Sequence, residues 1–163
     1  MILSEFINNY DHKKFIDPFI IAEAGVNHEG DINTAKRLID KAKEGGADAI
    51  KFQSYKANKI AVRNSPSYWD LGQEPTKSQF ELFNKYDKFW KKEYVELKEH
   101  CDKVKIEFLS TPFHEEAVDF LEKLNVPCYK VASFENNHLP LIEHISKTKK
   151  PVIVSTGMAS FKE

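Results

Sequence analysis

The stretch VPCYKVASFENN, residues Val126–Asn137, begins as an apolar run and ends in a row of polar groups. Its first half has the β-branched and aromatic character of a strand that is buried in a core. Three polar side chains follow where the strand ends: Lys130, Ser133 and Glu135. A lysine on a core strand is costly unless a partner compensates its charge. The stretch therefore predicts a strand that brings a lysine to an anionic partner.

Four further runs have the same strand-like character. They are FIIAEAG from Phe19, DAIKFQS from Asp48, IEFLSTPF from Ile106 and PVIVSTGMAS from Pro151. Segments of helical period lie between the runs. The first helix is predicted to begin after the N-cap residue Asp31 and to end at Gly45 and Gly46. Apolar strands that alternate with amphipathic helices are typical of a parallel sheet covered by helices, so the sequence predicts an α/β fold.

Composition excludes several classes of protein. With 163 residues, 41% of them hydrophobic, the chain can build the core of one compact domain. No apolar run approaches the roughly 20 residues that cross a bilayer, and charges interrupt any secretory leader near the first residue. The 24 basic and 25 acidic residues are balanced, without the basic face that nucleic acid or an anionic membrane requires. We therefore expect a cytoplasmic protein with a small anionic ligand.

Residue types that often bind metals show no ligand spacing in this chain. Cys101 and Cys128 fall in apolar surroundings, so we expect buried free thiols rather than a disulfide or a metal site. His28, in NHEG, is expected to bond to the backbone rather than to a metal. No metal ligand is predicted among these residues.

The second predicted strand is followed by an unusually long connection, Ser54–Phe89. Connections of this length commonly serve as lids or binding loops. Thr76 and Gln79 are spaced as a capping box, which predicts an extra short helix. Tyr68 and Trp69 either line a pocket or simply pack the connection against the domain.

Polar residues end each of the five predicted strands, where ligands of parallel α/β domains bind. In strand order they are Glu23; Lys51 and Gln53; Ser110 and Thr111; Lys130, Ser133 and Glu135; Ser155 and Thr156. Two ammonium groups with nearby hydroxyls suit a phosphate or a carboxylate. The alternative is that the two lysines form internal salt bridges with the two glutamates.

Five motifs occur in order between about Pro18 and Ser160. They are FIIAEAGVNHEGD, ADAIKFQSY, FLSTPF, YKVASFENNHLPLI and PVIVSTGMAS. Together they resemble the sialic acid synthase family, the synthases of N-acetylneuraminate, legionaminate and pseudaminate. The resemblance implies a (β/α)8 barrel of the TIM type, an antifreeze-like domain and a homodimer. It also implies condensation of phosphoenolpyruvate with an N-acetylated amino sugar such as N-acetylmannosamine, with Mn2+ or Mg2+, and release of phosphate.

The resemblance also implies a role for each matched residue. Five residues are expected to hold the phosphate and carboxylate of phosphoenolpyruvate: Lys51, Thr111, Lys130, Ser133 and Ser155. Glu23 matches the acidic residue close to the metal and its water. Gln53 and Glu135 match positions that face the acceptor sugar, where Glu135 can relay a proton. We expect Glu23 and Glu135 to be catalytic.

A barrel of this kind has eight strand-helix units, whereas five strands are predicted here. Residues 1–17 are expected to be an extension, and residues 18–163 the N-terminal part of the barrel. The family's metal-binding histidine pair and the antifreeze-like domain are not matched. We therefore expect an engineered or proteolytic fragment, a gene truncation or a partial chain, which is inactive alone, binds no metal and can pair through its open edges.

Two other functions fit the same residues. Lys130 could form a Schiff base with a carbonyl substrate, as in an aldolase. The chain could also be a non-catalytic truncated barrel that binds phosphoenolpyruvate or associates with itself. The acceptor sugar is open, because ASFENN joins a Ser-Phe-Glu pattern of legionaminate and pseudaminate synthases to the Asn-Asn of N-acetylneuraminate synthases.

Overall fold

Parallel strands form the frame of the chain, and the computed structural model describes residues 2–157, 159, 160 and 162. The described strands are β1 Ile21–Gly25, β2 Ala49–Ser54, β3 Glu107–Pro112, β4 Tyr129–Val131 and β5 Val152–Val154. Each lies within a run that the sequence predicts to be a strand, which confirms the α/β fold. Met158 of the last motif and Glu163, the predicted domain end, lie outside the described residues.

The strands follow one another in space in chain order. One sheet has the order β1-β2-β3, and β4 pairs with β5 in a second sheet; every pairing is parallel. Strand β4 also packs beside β3. Residues at or just after the carboxyl ends of β2, β3, β4 and β5 line a common cavity, so these strand ends meet at one edge of the structure.

Helices connect and cover the strands. They are α1 Leu3–Asn8, α2 Ile32–Glu44, α3 Ala57–Ile60, α4 Gln79–Tyr86, α5 Lys91–Val104, α6 Glu115–Lys123 and α7 Leu139–Ser146. Helix α2 begins as predicted, because the Asp31 side chain accepts a hydrogen bond from the Thr34 N–H. It ends at Gly45, and Gly46 then adopts φ +84°. No helix within the described residues combines the length and apolar character that a membrane span requires.

The predicted short helix of the long connection exists as α4, but its predicted capping box is wrong. Ser78 is the N-cap, and its hydroxyl accepts a hydrogen bond from the Glu81 N–H at 3.1 Å. The Glu81 carboxylate accepts a bond from the N–H of Lys77 at 2.9 Å. The sequence offers two overlapping patterns, and the helix uses the one with a charged carboxylate rather than the pair Thr76 and Gln79.

The main hydrophobic core lies between the strands and helices α2, α5 and α6. The rings of Phe52 and Phe108, from β2 and β3, stack with their centroids 5.8 Å apart. Ile39, Leu97 and Leu121 bring one buried aliphatic side chain from each of the three helices. This packing fixes the first three strands against their helices.

A smaller cluster lies on the opposite face of the strands. Ala49 and Leu109, from β2 and β3, alternate with the residues of the main core. Leu3 of α1 packs against them, and its N–H donates a hydrogen bond to the Glu107 carboxylate at 2.8 Å. Helix α1, within the predicted extension 1–17, thus covers the amino ends of these strands.

Both cysteines are buried free thiols, as predicted. Cys101 packs in the main core and Cys128 in the smaller cluster. Burial raises the pKa of each thiol to about 12. Neither cysteine is therefore poised as a nucleophile.

We expect Leu97→Ala to lower the free energy of unfolding by about 2–5 kcal/mol, because it opens a cavity between α5 and the sheet. Urea denaturation followed by circular dichroism measures the change. Val95→Ala is the matched control, since Val95 lies on the same helix but is 39% exposed. Equal losses in both variants would show that Leu97 does not anchor the helix.

Candidate functional site

A cavity of about 390 Å³ opens at the carboxyl ends of the strands. Six of the eight predicted site residues line it: Lys51, Gln53, Thr111, Lys130, Ser133 and Ser155. They come from β2 and β3 and from the ends of β4 and β5. The fold therefore brings together polar residues that are more than 100 positions apart along the chain.

Lys51 forms an ion pair with Glu23 on the neighbouring strand. The two residues lie opposite each other in the parallel register of β1 and β2. The Lys51 side chain is only 14% exposed, whereas that of Glu23 is 50% exposed. For Lys51 the structure thus has the internal salt bridge that the sequence left as an alternative. The same pair also keeps Glu23 beside the cavity wall.

A glycine makes room for this arrangement at the end of β1. Gly25 has φ +52°, which favours glycine. A Cβ atom there would lie 3.3 Å from Oε1 of Glu23 and 3.6 Å from Nε2 of Gln53. A side chain at this position would therefore crowd two predicted site residues.

Lys130 is held differently from Lys51. Its Nζ donates hydrogen bonds to the Val131 carbonyl at 2.7 Å and to the Ser155 hydroxyl at 2.6 Å. Within the described part of the chain it forms no salt bridge. Burial lowers the pKa of Lys130, and the nearby Lys51 ammonium lowers it further. The charge of Glu23 acts on this pKa in the opposite direction, but no described carboxylate bonds to Lys130 directly.

The backbone of Gln53 is fixed from outside the sheet. The hydroxyl of Tyr94 on α5 donates a hydrogen bond to the Gln53 carbonyl at 2.5 Å. Burial raises the pKa of Tyr94, so this hydroxyl keeps its proton. The sequence pattern identified Tyr94 only as a core position of a helix. Nothing in that pattern signalled its contact with a site residue.

Glu135 lies outside the lining of this cavity. It ends the short 3₁₀ helix Ser133–Glu135, and its carboxylate is 2.5 Å from Nδ1 of His138. Its residue is only 9% exposed. The structure therefore leaves Glu135 out of the cavity lining, although it shares a 3₁₀ helix with Ser133, and its catalytic role stays a prediction.

Aromatic side chains form the rest of the cavity wall. We call Tyr55, Tyr68, Phe83, Phe113 and Phe134 the aromatic wall. The Tyr55 ring meets those of Phe83 and Phe113 edge-on, at 5.8 and 6.0 Å, and Phe113 stacks on Phe134 at 5.4 Å. Of these, the sequence suggested only Tyr68. The missed signal is that three of the quoted motifs place an aromatic one or two residues after a polar site residue.

With this geometry in place, comparison with known proteins identifies the family. The profile of the NeuB family matches residues 38–163. The chain belongs to the NeuB family. The resemblance drawn from the five motifs is thereby confirmed.

Several relatives of this NeuB-family chain are named as synthases. It is 44% identical over 146 residues to an N,N'-diacetyllegionaminic acid synthase of Campylobacter jejuni, covering 88% of this chain and 43% of the relative. It is 39% identical over 149 residues to human N-acetylneuraminate-9-phosphate synthase, covering 87% and 40%. The crystal structure of a sialic acid synthetase of Leptospira borgpetersenii superimposes with TM-score 0.76 and 37% identity, covering 88% and 46%. The chain thus spans about 40% of the length of these curated relatives.

The described residues do not by themselves build a metal centre. They contain no group of three or more His, Cys, Asp or Glu side chains that could hold a metal ion. Glu23 is the carboxylate beside the cavity, and it is paired with Lys51. The divalent metal expected from the resemblance stays a prediction for the complete enzyme.

His28 bonds to the backbone, as predicted. Its Nδ1 accepts a hydrogen bond from the Gly30 N–H at 3.1 Å, and its ring stacks on Phe89 with centroids 4.0 Å apart. The side chain is almost fully buried, and burial lowers the pKa of His28 to about 4. It is therefore neutral near pH 7 and stabilises the connection between β1 and α2.

Acid should destabilise the protein through His28. Between the ordinary histidine pKa of about 6.5 and the folded value near 4, the unfolded chain binds a proton that the folded chain does not. We therefore expect the free energy of unfolding, measured by urea denaturation, to fall as the pH drops through this window. His28→Phe keeps the ring stack but cannot titrate, so it should reduce this slope.

The buried His114, whose pKa burial also lowers, contributes to the slope that remains in His28→Phe, whereas Glu107, whose pKa burial raises, opposes it. His12→Phe, at an exposed histidine, is the matched control and should leave the slope intact. A slope that is the same in His28→Phe and in the unaltered protein would contradict the assignment.

Proposed function

We propose that this chain is part of a synthase that condenses phosphoenolpyruvate with an N-acetylated amino sugar, such as N-acetylmannosamine. The products are a nonulosonic acid and phosphate. The observation that carries the proposal is the cavity in which Lys51, Lys130 and the hydroxyls of Thr111, Ser133 and Ser155 converge. The names of its relatives, which are synthases of acids of this class, support it.

We propose further that residues 18–163 are the N-terminal part of a (β/α)8 barrel. The sequential, parallel order of the five strands supports this proposal. The remaining strands and an antifreeze-like domain would lie outside these residues, and two copies of the enzyme would form a homodimer. Balanced charge and buried free cysteines suit a reducing compartment, so we assign the enzyme to the cytoplasm.

Phosphoenolpyruvate carries two anionic groups, which matches the two lysines of the cavity. Lys130 forms no salt bridge with a described carboxylate, and the Ser155 hydroxyl lies 2.6 Å from its Nζ. Lys51 shares its charge with Glu23 and can turn toward a bound anion. Each charge-assisted hydrogen bond contributes about 1.5–3 kcal/mol to binding. Thr111 and Ser133 would donate their hydroxyl protons to the same ligand.

The carboxylates would serve the chemistry. Glu23, half exposed beside Lys51, would orient a water molecule toward C2 of phosphoenolpyruvate, where positive charge develops as the new carbon-carbon bond forms. Gln53 would bind hydroxyls of the acceptor sugar. Glu135 would do the same and relay a proton, which requires it to exchange its bond to His138 for one to the sugar. Mn2+ or Mg2+ is proposed for the complete enzyme, and no step is assigned to it on these residues.

One observation favours a second function. Burial and the neighbouring Lys51 lower the pKa of Lys130, which favours the neutral form of its amine. A neutral amine can attack a carbonyl and form a Schiff base, as in an aldolase. Family membership favours the synthase, so we keep the aldolase as the alternative.

Product analysis tests the proposed function. We expect the full-length protein that carries this chain, given phosphoenolpyruvate, Mn2+ and a panel of N-acetylated amino sugars, to form a nonulosonic acid and an equal amount of phosphate. Mass spectrometry and a phosphate assay measure the two products. In a separate reaction, the protein is incubated with pyruvate and borohydride. A covalent adduct on Lys130 there, together with no phosphate release from phosphoenolpyruvate, would support the aldolase instead of the synthase.

Anion binding by the two lysines is tested by calorimetry. We expect Lys51→Ala and Lys130→Ala each to weaken the binding of phosphoenolpyruvate about 10-fold or more, because each removes a charge-assisted hydrogen bond. Lys103→Ala is the control, since Lys103 is exposed on α5, away from the cavity. Unchanged affinity in both cavity variants would refute the anion site. Binding without any product by the full-length protein would favour the non-catalytic alternative.

A further inference from the structure

The cavity has two chemically different sides. One side carries the lysines and hydroxyls that suit a small anion, and the other is the aromatic wall. A volume of about 390 Å³ falls in the range of pockets that hold drug-sized ligands, of about 300–1,000 Å³. A phosphorylated three-carbon acid would fill only part of this space. A second reactant therefore has room beside the aromatic wall.

Two members of the aromatic wall are largely exposed. Tyr68 is 76% exposed and Phe134 is 57% exposed, although both line the cavity. Aromatic surface that is left open in a concave site is available for contact with a ligand. The two rings thus offer apolar contact area within reach of charged residues.

Tyr68 is held in place by an ordered segment. Its ring meets that of Trp69 edge-on, with centroids 5.0 Å apart. The Trp69 indole N–H lies 3.1 Å from the carbonyls of both Glu74 and Thr76, to which it donates. Ser65 ties the segment to α4 by accepting hydrogen bonds at the start of that helix. The exposed Tyr68 ring therefore belongs to a segment that hydrogen bonds hold in place.

Phe134 is supported by the segment that follows β3. Its ring stacks on Phe113, nearly parallel, with an angle of 9° between the planes. It directly follows Ser133, which lines the same cavity, and it also borders an adjoining cavity of about 360 Å³. Phe134 therefore lies between the anion side and open space for a larger ligand.

We propose that Tyr68 and Phe134 determine acceptor specificity by packing against the acyl group of the amino sugar. This inference rests on the proposed function and names the contact that selects the second substrate. The acyl methyl group and the C–H groups of the sugar cover the two rings, while the anion side holds phosphoenolpyruvate. A free amine in place of the acylamino group loses this contact and, when protonated, adds a further positive charge near the two lysines.

Kinetics of the full-length protein that carries this chain test the inference. The acceptors are N-acetylmannosamine and a 2,4-diacetamido sugar, each compared with its de-acetylated amine. We expect Tyr68→Ala and Phe134→Ala to raise KM for the acylated acceptor about 10-fold or more, and to leave KM for phosphoenolpyruvate within about 2-fold. The preference for the acylated sugar over the amine should fall by a similar factor.

Two further variants separate recognition from structure. Tyr68→Phe keeps the ring and should recover most of the affinity for the acceptor that Tyr68→Ala loses. Phe15→Ala is the matched control, because Phe15 is 95% exposed and does not line the cavity. Circular dichroism checks that each variant is folded.

The outcomes distinguish this inference from the proposed function. If the unaltered protein forms no product from phosphoenolpyruvate with either acylated sugar, both fall together. If it forms product, but Tyr68→Ala and Phe134→Ala keep the preference for the acylated sugar, this inference alone is overturned. An equal rise in KM for both substrates would likewise overturn it, because it would reflect a general disturbance of the site.

Discussion

The ion pair between Glu23 and Lys51 is the interaction on which the arrangement of the site depends. Parallel pairing places the two residues opposite each other on β1 and β2, at the end of the sheet where Lys130 also emerges. Two ammonium groups near one another repel, and the carboxylate offsets part of that repulsion. The ion pair thus allows Lys51 and Lys130 to line the same cavity in the absence of a ligand.

Much of this arrangement could be predicted from the sequence, because it follows from local rules. Runs of β-branched and apolar residues located all five described strands, and Asp31 with Gly45 bounded α2. The polar residues at the strand ends then had to meet, since parallel strands present their carboxyl ends at one edge. For Lys51 the structure has the internal salt bridge that the sequence left as an alternative, whereas the anion site around Lys130 and Ser155 stays a proposal.

Other features depend on contacts that no local pattern encodes. The start of α4 was misassigned because Thr76 and Ser78 begin overlapping capping patterns, and tertiary contacts of Ser65 with the helix favour the second. Glu135 lies off the cavity because β4 stops at Val131 and a 3₁₀ turn redirects the chain. The aromatic wall joins residues from three separate connections, after β2, after β3 and after β4, which only the folded chain brings together.

One hydrogen bond couples the outer layer of helices to the rim of the cavity. Tyr94 reaches from α5 through the core to the carbonyl of Gln53, at the point where β2 ends. Any tilt or slide of α5 would be passed to that carbonyl and so to the neighbouring Gln53 side chain. The residues that set the angle of α5 against the sheet therefore also set the position of a group at the cavity rim.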